Sequence, residues 1–252
     1  MDAERVCIFV DGENLRHTIC DLFPTNFDQD DYLPKLAQWE SFFDLLVNNA
    51  SVGGRGIRIR TYWYVIEDVD FFPYKLPKPD RDLDTLVAVL KKYKDYKKTL
   101  NKLTGVALKD KATELRQELI DEQNRIISKF RGWENIQDGI TNKHSAIEFR
   151  RSGHIRYNLF THILSKEKAV DVKLATDLIL LSDIYDTAVI VSGDQDFVPA
   201  VEAIKDRGKR VVNVAFLERS GKLLPGGARR LNQVTDTHIS ISHEDSARYF
   251  KI

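Results

Sequence analysis

Two cysteines and one methionine are all the sulfur that this 252-residue chain carries. Cys7 and Cys20 make no metal-binding spacing, and two thiols, one of them inside an apolar run, build no disulfide framework. Long hydrophobic runs are also missing, since no stretch reaches the roughly 18 apolar residues that a membrane span needs. Met1 to Arg5 is polar and leads straight into a strand pattern, so no signal peptide is expected. Net charge is absent too: 38 Lys and Arg balance 38 Asp and Glu. Overall charge therefore makes no case for a polyanion partner. The glycines form neither a P-loop nor a GxGxxG turn, and no Ser/His/Asp or Cys/His arrangement offers a nucleophile. What is left is a chain with 42% hydrophobic and 30% charged residues, long enough to bury a sizeable core. A soluble cytoplasmic protein is the expectation.

The neutral total hides an asymmetry. Between Lys91 and Lys111 lie eight lysines against only Asp95 and Asp110. Such an arm suits phosphates, or it is simply a solvated helix face.

Val6-Cys7-Ile8-Phe9-Val10 is continuously apolar and stops at Asp11-Gly12, the pattern of a strand covered on both faces. Glu13 to Leu22 and Tyr32 to Val47 read as helices, and Ile57 to Ile66, rich in β-branched and aromatic residues, as a second strand. Three prolines between Phe72 and Pro79 stop regular structure. Leu83 to Tyr96 and Lys109 to Phe130 then read as helices, which makes Phe72 to His144 a long helical insertion in a single domain spanning 1–252. Leu115, Leu119, Ile126 and Ile127 form one stripe on it, suited to a second copy, a protein partner or the protein's own core. Ile147 to Arg151 and Ile155 to Phe160, separated by Ser152-Gly153, suggest a hairpin. Asp171 to Ser182 is helical, Ala188 to Val191 a buried strand, Phe197 to Arg207 a helix closed by Gly208, and Val211 to Ala215 a strand. Strands and helices alternating over short links predict a parallel sheet in an α/β fold.

Ligands of such sheets bind beyond the carboxyl ends of the strands. Asp11, Glu13 and Asn14 follow the first strand; Ser192, Gly193, Asp194, Gln195 and Asp196 follow the strand ending at Val191. The helix before that strand brings Asp171 or Asp177 to the same edge. These two are about 120° apart around the helix and ~9 Å apart along it, so they cannot be equivalent. Carboxylates that converge repel one another unless a cation joins them, and oxygen donors with few histidines suit Mg²⁺ or Mn²⁺. Each acid also has a plainer role: Asp171 as an N-cap, Asp196 as a cap of the helix containing Pro199, Asp11 in a turn with Gly12, Asp177 on a solvated face.

Phe9-Val10-Asp11-Gly12-Glu13-Asn14-Leu15, Lys168-Ala169-Val170-Asp171-Val172-Lys173-Leu174-Ala175-Thr176-Asp177 and Val191-Ser192-Gly193-Asp194-Gln195-Asp196-Phe197 together resemble the NYN domain family. They are most similar to its LabA-like branch, within the PIN-like nucleases, and Lys209 to Val214 resembles that branch's next strand. The resemblance implies a PIN-like three-layer α/β/α fold with a central, mainly parallel sheet, and a Mg²⁺- or Mn²⁺-dependent nuclease acting on RNA. Carried over by motif, Asp11, Asp194 and Asp196 would bind metal, with Asp171 and Asp177 supplying the helix-borne acid. Asn14 and Ser192 would shape the site, and Lys168 would lie near the substrate phosphate.

The expected activity is hydrolysis of RNA, single-stranded or tRNA-like, with DNA as a second substrate class. Lys94, Lys97 and Lys98 would grip the strand, with Tyr93 and Tyr96 stacking on its bases. The rival reading is a non-catalytic NYN-like module that binds RNA or a protein. An acidic phosphotransfer domain ranks behind both, because Asp11-Gly12-Glu13-Asn14 lacks the second aspartate of a DxD phosphatase motif.

Overall fold

The computed structural model describes residues 3–27, 31–165, 169–224 and 229–252. Among the described residues, seven strands form one sheet in the order β4-β3-β2-β1-β5-β6-β7. They are β1 (Glu4–Asp11), β2 (Gly56–Phe72), β3 (Ile147–Asn158), β4 (Ile163–Leu164), β5 (Thr187–Val191), β6 (Arg210–Phe216) and β7 (Thr237–Ile241). β1 runs parallel to β2 and β5, and β5, β6 and β7 continue the parallel run; the two-residue β4 is antiparallel to β3. Helices cover both sides, giving the mainly parallel α/β architecture that the alternating pattern predicts. Two compact units divide the chain: residues 1–65, 135–152 and 169–252, and residues 66–134 and 153–168.

The first unit is built on β1 and β5, whose apolar residues are almost wholly buried. Its helices are α1 (Gly12–Leu22), α2 (Trp39–Ala50), α6 (Val170–Leu180), α7 (Val198–Lys205), α8 (Arg229–Val234) and α9 (His243–Phe250). An aromatic cluster of Trp39, Phe42, Phe43, Trp63 and Phe250 fills one layer, Trp39 meeting Trp63 edge-on at 4.9 Å. Burying rings of this size contributes several kcal/mol.

Gly12 makes the closest glycine approach to a backbone atom in this unit. A Cβ there would stand 2.5 Å from the Tyr64 carbonyl oxygen and 2.8 Å from Val65 Cγ1, on the neighbouring β2. A backbone carbonyl cannot swing aside, so Gly12→Ala is expected to cost about 2–3 kcal/mol, read as a lower thermal midpoint. An unchanged midpoint would show that β2 yields at no cost.

The second unit holds α3 (Leu83–Leu90), α4 (Lys94–Leu100) and most of α5 (Gly105–Lys143). Leu86, Leu90, Leu100, Leu115, Leu119 and Ile126 pack into one apolar core. The stripe on α5 is therefore largely occupied within its own unit.

Four departures from the sequence reading stand out. α2 starts at Trp39 rather than Tyr32, because Pro34 cannot sit inside a helix and biases Leu33 away from helical angles. Residues Ile147 to Asn158 form one strand, β3, rather than a hairpin turning at Ser152-Gly153: Gly153, at φ 69°, is absorbed within it instead of reversing the chain. Leu83 to Tyr96 divides into α3 and α4, and β7 with α9 adds a strand–helix pair that the pattern reading did not reach.

Candidate functional site

The site is built where β1 and β5 end. Val10 pairs with Val191, so Asp11 and Ser192 leave the sheet side by side. Asp11 is 4% exposed and both of its oxygens are held: Oδ2 accepts the Ser192 hydroxyl at 2.8 Å, and Oδ1 accepts the Asn14 N–H at 3.1 Å. The second bond makes Asp11 the N-cap of α1, so its turn role and its site role coexist. Asn14 reaches back, its Oδ1 accepting the Gly193 N–H at 2.9 Å. Ser192 also accepts the Asp194 N–H at 3.0 Å, and Asp194 caps the next turn by accepting the Asp196 N–H at 2.9 Å. One continuous network thus joins Asp11, Asn14, Ser192, Gly193, Asp194 and Asp196. Asp194 is the cap of this turn, in place of the expected Asp196.

Asp171 belongs to the same electrostatic group. It lies in the first turn of α6 without capping it, since the cap position is Ala169 at φ 76°. Burial raises its pKa, and the charges of Asp194 and Asp196 raise it further. Asp11 is pushed up to about 7: burial is the main cause, and the charges of Asp171 and Asp194 add to it against the two hydrogen bonds. None of the four carboxylates, Asp11, Asp171, Asp194 or Asp196, pairs with a Lys, Arg or His among the described residues.

Asp177 is different. It is 3% exposed rather than solvated, and its carboxylate is saturated. Lys173 Nζ donates to Oδ1 at 2.9 Å, while the Tyr64 hydroxyl, at 3.1 Å, and Arg150 both donate to Oδ2. Burial pushes its pKa up, but these donors overcome that and leave it below the ordinary carboxylate value. Arg150 is held in turn by Glu148 at 2.9 Å and lies over the Tyr62 ring at 4.0 Å. Glu13, beside Asp11, is paired with Arg16 at 3.0 Å.

Lys168 lies outside the described residues. Lys94, Lys97 and Lys98 lie on α4 in the second unit, exposed, with Lys98 paired to Asp95 at 3.4 Å. Lys91, Lys92, Lys94, Lys97 and Lys102 have no carboxylate within ion-pair distance among the described residues. Sequence reasoning missed Tyr64 and Arg150, the partners of Asp177. The i to i+4 spacing of Lys173 and Asp177 on one helix face was the one available signal.

The donors fit a hard divalent ion in kind, being carboxylate oxygens with a buried charge that no side chain among the described residues neutralises. Among the described residues, no three Asp, Glu, His or Cys side chains are yet gathered closely enough to hold one.

A mainly parallel sheet with helices on both sides and carboxylates at its carboxyl edge defines an α/β protein. The NYN domain model matches residues 76–242, well over half the chain, and the chain belongs to the NYN domain family, part of the PIN-like nuclease group. The match takes in Asp171, Asp177, Asp194 and Asp196, while Asp11 and Asn14 precede it. No curated protein matches the chain. A crystal structure of a protein of unknown function from Vibrio parahaemolyticus RIMD 2210633 is similar at 15% identity, covering 95% of this chain and 93% of that one, with a TM-score of 0.43. No helix among the described residues is long and apolar enough to cross a membrane.

Proposed function

We propose that the protein is a Mg²⁺- or Mn²⁺-dependent ribonuclease of the LabA-like branch, working in the cytoplasm. The observation that carries this reading is the group of four carboxylates with no cationic partner among the described residues, one of them buried, at the sheet edge where α/β proteins bind their ligands. Asp11, Asp171, Asp194 and Asp196 would hold the ion. Once bound, a divalent ion polarises the scissile phosphate and lowers the pKa of an attacking water. Ser192 and Asn14 fix the Asp11 carboxylate and lock the Ser192–Asp196 loop against α1. Asp177 acts at one remove: through Tyr64 and Arg150 it pins α6 to β2 and β3, which sets where Asp171 stands. Lys168, Lys94, Lys97 and Lys98 would contact the RNA backbone. Hydrolysis would leave 5′-phosphate and 3′-hydroxyl ends.

The test is to incubate the protein and its Asp194→Asn variant with labelled single-stranded RNA, tRNA and single-stranded DNA in Mn²⁺, Mg²⁺ or EDTA. Cleavage of RNA that needs metal and disappears in the variant is the expected result. RNA retained on a gel but never cut would establish the non-catalytic binding module instead. Cleavage unaffected by EDTA and by Asp194→Asn would overturn the proposed site.

A further inference from the structure

The rings of Tyr93 and Tyr96, expected to stack on bases, are already engaged by other aromatic rings in the second unit. Tyr93 lies flat on Phe160 with centroids 5.4 Å apart and planes 8° apart. Tyr96 meets Tyr93 at 5.2 Å and Phe160 at 5.8 Å, and burial raises its hydroxyl pKa. The ring that faces solvent is Tyr74, 63% exposed. It ends an aromatic chain that begins at α4: Tyr93 on Phe160, Phe160 against Phe72 at 6.0 Å, and Phe72 against Tyr74 at 6.2 Å. The solvent-facing ring and the lysine helix are thus joined by contiguous packing within one unit.

The charge around Tyr74 is also unusual. The guanidinium of Arg156 lies over the Tyr74 ring, 5.2 Å from its centroid, and Arg156 has no carboxylate partner among the described residues. Lys75, next to Tyr74 in the chain, and Lys78, four positions on, are likewise exposed, with no carboxylate within ion-pair distance among the described residues. By sequence, the second unit holds 18 Lys and Arg against 14 Asp and Glu, and the first 20 against 24. The zero net charge therefore divides into an excess of four positive charges on the unit that carries Tyr74, and four negative charges on the other.

We propose that Tyr74 and Arg156 form a stacking platform for an unpaired nucleobase, on a basic surface that holds the flanking phosphates. The second unit would then be a contact site for single-stranded RNA, formed by residues remote in sequence from the carboxylates. The inference rests on the nucleic-acid reading of the acidic edge. A solvent-facing ring with a guanidinium over it joins a flat aromatic surface to a cation, which matches a base and its phosphate. Duplexes keep their base faces inside the stack, so the platform selects unpaired strands. Cations without acidic partners favour a polyanion over an ordinary protein surface.

The experiment isolates binding from cleavage by using the full-length Asp194→Asn protein in EDTA, with a short labelled oligouridylate followed by fluorescence anisotropy over a salt series. Tyr74→Ala should weaken binding about tenfold, and Tyr74→Phe should keep it, because the ring carries the interaction. Combining Lys92→Glu, Lys94→Glu and Lys97→Glu should flatten the salt dependence. Equal affinity of the Tyr74→Ala and parent proteins overturns the platform, as does equal affinity for an RNA duplex, or no RNA affinity alongside binding of a protein partner. RNA binding that depends on Tyr74 in a protein whose wild type never cleaves RNA keeps the platform and removes the nuclease. Cleavage by the wild type with binding indifferent to Tyr74 does the reverse.

Discussion

Asp11→Asn is expected to give a protein that melts higher than the parent at pH 7.5 without metal, and that cuts no RNA. The Asp11 carboxyl has its pKa pushed from an ordinary 3.8 to about 7 by burial and by the charges of Asp171 and Asp194. A group whose native pKa exceeds its unfolded value binds its proton more tightly when folded, so stability falls as pH rises through that window, here about 4 to 7. At ~1.4 kcal/mol per unit, the ionised carboxylate costs at most about 4 kcal/mol at neutral pH without a cation. Asparagine removes the charge and retains an acceptor for the Asn14 N–H, although its amide faces Ser192 less well. A net gain of about 1–2 kcal/mol, or several degrees, is the expectation. Thermal melts from pH 5 to 8 in EDTA should fall steeply for the parent and less for the variant, which keeps only the raised Asp171. Millimolar Mn²⁺ should raise only the parent, because an ion that binds the folded state alone stabilises it by mass action. A parent with no pH slope, or a variant that melts lower throughout, would remove the argument from uncompensated charge.

The acidic edge was legible because its chemistry sits next to unambiguous strands. Val6 to Val10 and Ala188 to Val191 are too apolar and too short to be anything but buried strands, so the residues after them, Asp11 and Ser192 to Asp196, had to emerge at a sheet edge. The hydrogen bonds that organise that edge were not legible. That Ser192 bridges Asp11 and the Asp194 amide depends on register, which is a property of the paired strands and not of either alone. The Arg150 contact was hidden for a related reason. Ser152-Gly153 has the composition of a turn, and only the neighbouring β2 turns it into the interior of a strand. Tyr93 and Tyr96 mislead in the opposite direction: interleaved with lysines they suggest an exposed face, yet Phe160, more than sixty positions later in the chain, claims both rings. Composition reports what a segment contains, and packing decides which of it faces solvent.

The same logic separates the two helix-borne acids, and Asp177 carries the second large expected effect. Asp177→Ala should lower stability by about 3 kcal/mol, roughly 10 °C for a chain of this size. The loss would come less from the missing attraction than from the cations left behind. Arg150 and Lys173 would face a vacated buried site, and the Tyr64 hydroxyl would lose its acceptor. Arg150 keeps Glu148 and the Tyr62 face, which holds the cost below that of stripping a buried charge of every partner. Asp171→Ala should be nearly neutral or stabilising in the same melt, because it relieves repulsion from Asp194 and Asp196. The order should invert for metal: Asp171→Ala weakens Mn²⁺ binding directly, whereas the Mn²⁺ affinity of whatever fraction of Asp177→Ala stays folded falls only as far as α6 has moved. Calorimetric Mn²⁺ titration of both variants, at a temperature where each is folded, reads the difference. Asp177→Ala folding normally while binding no Mn²⁺ would exchange the two roles, making Asp177 the ligand and its cations a latch that metal displaces.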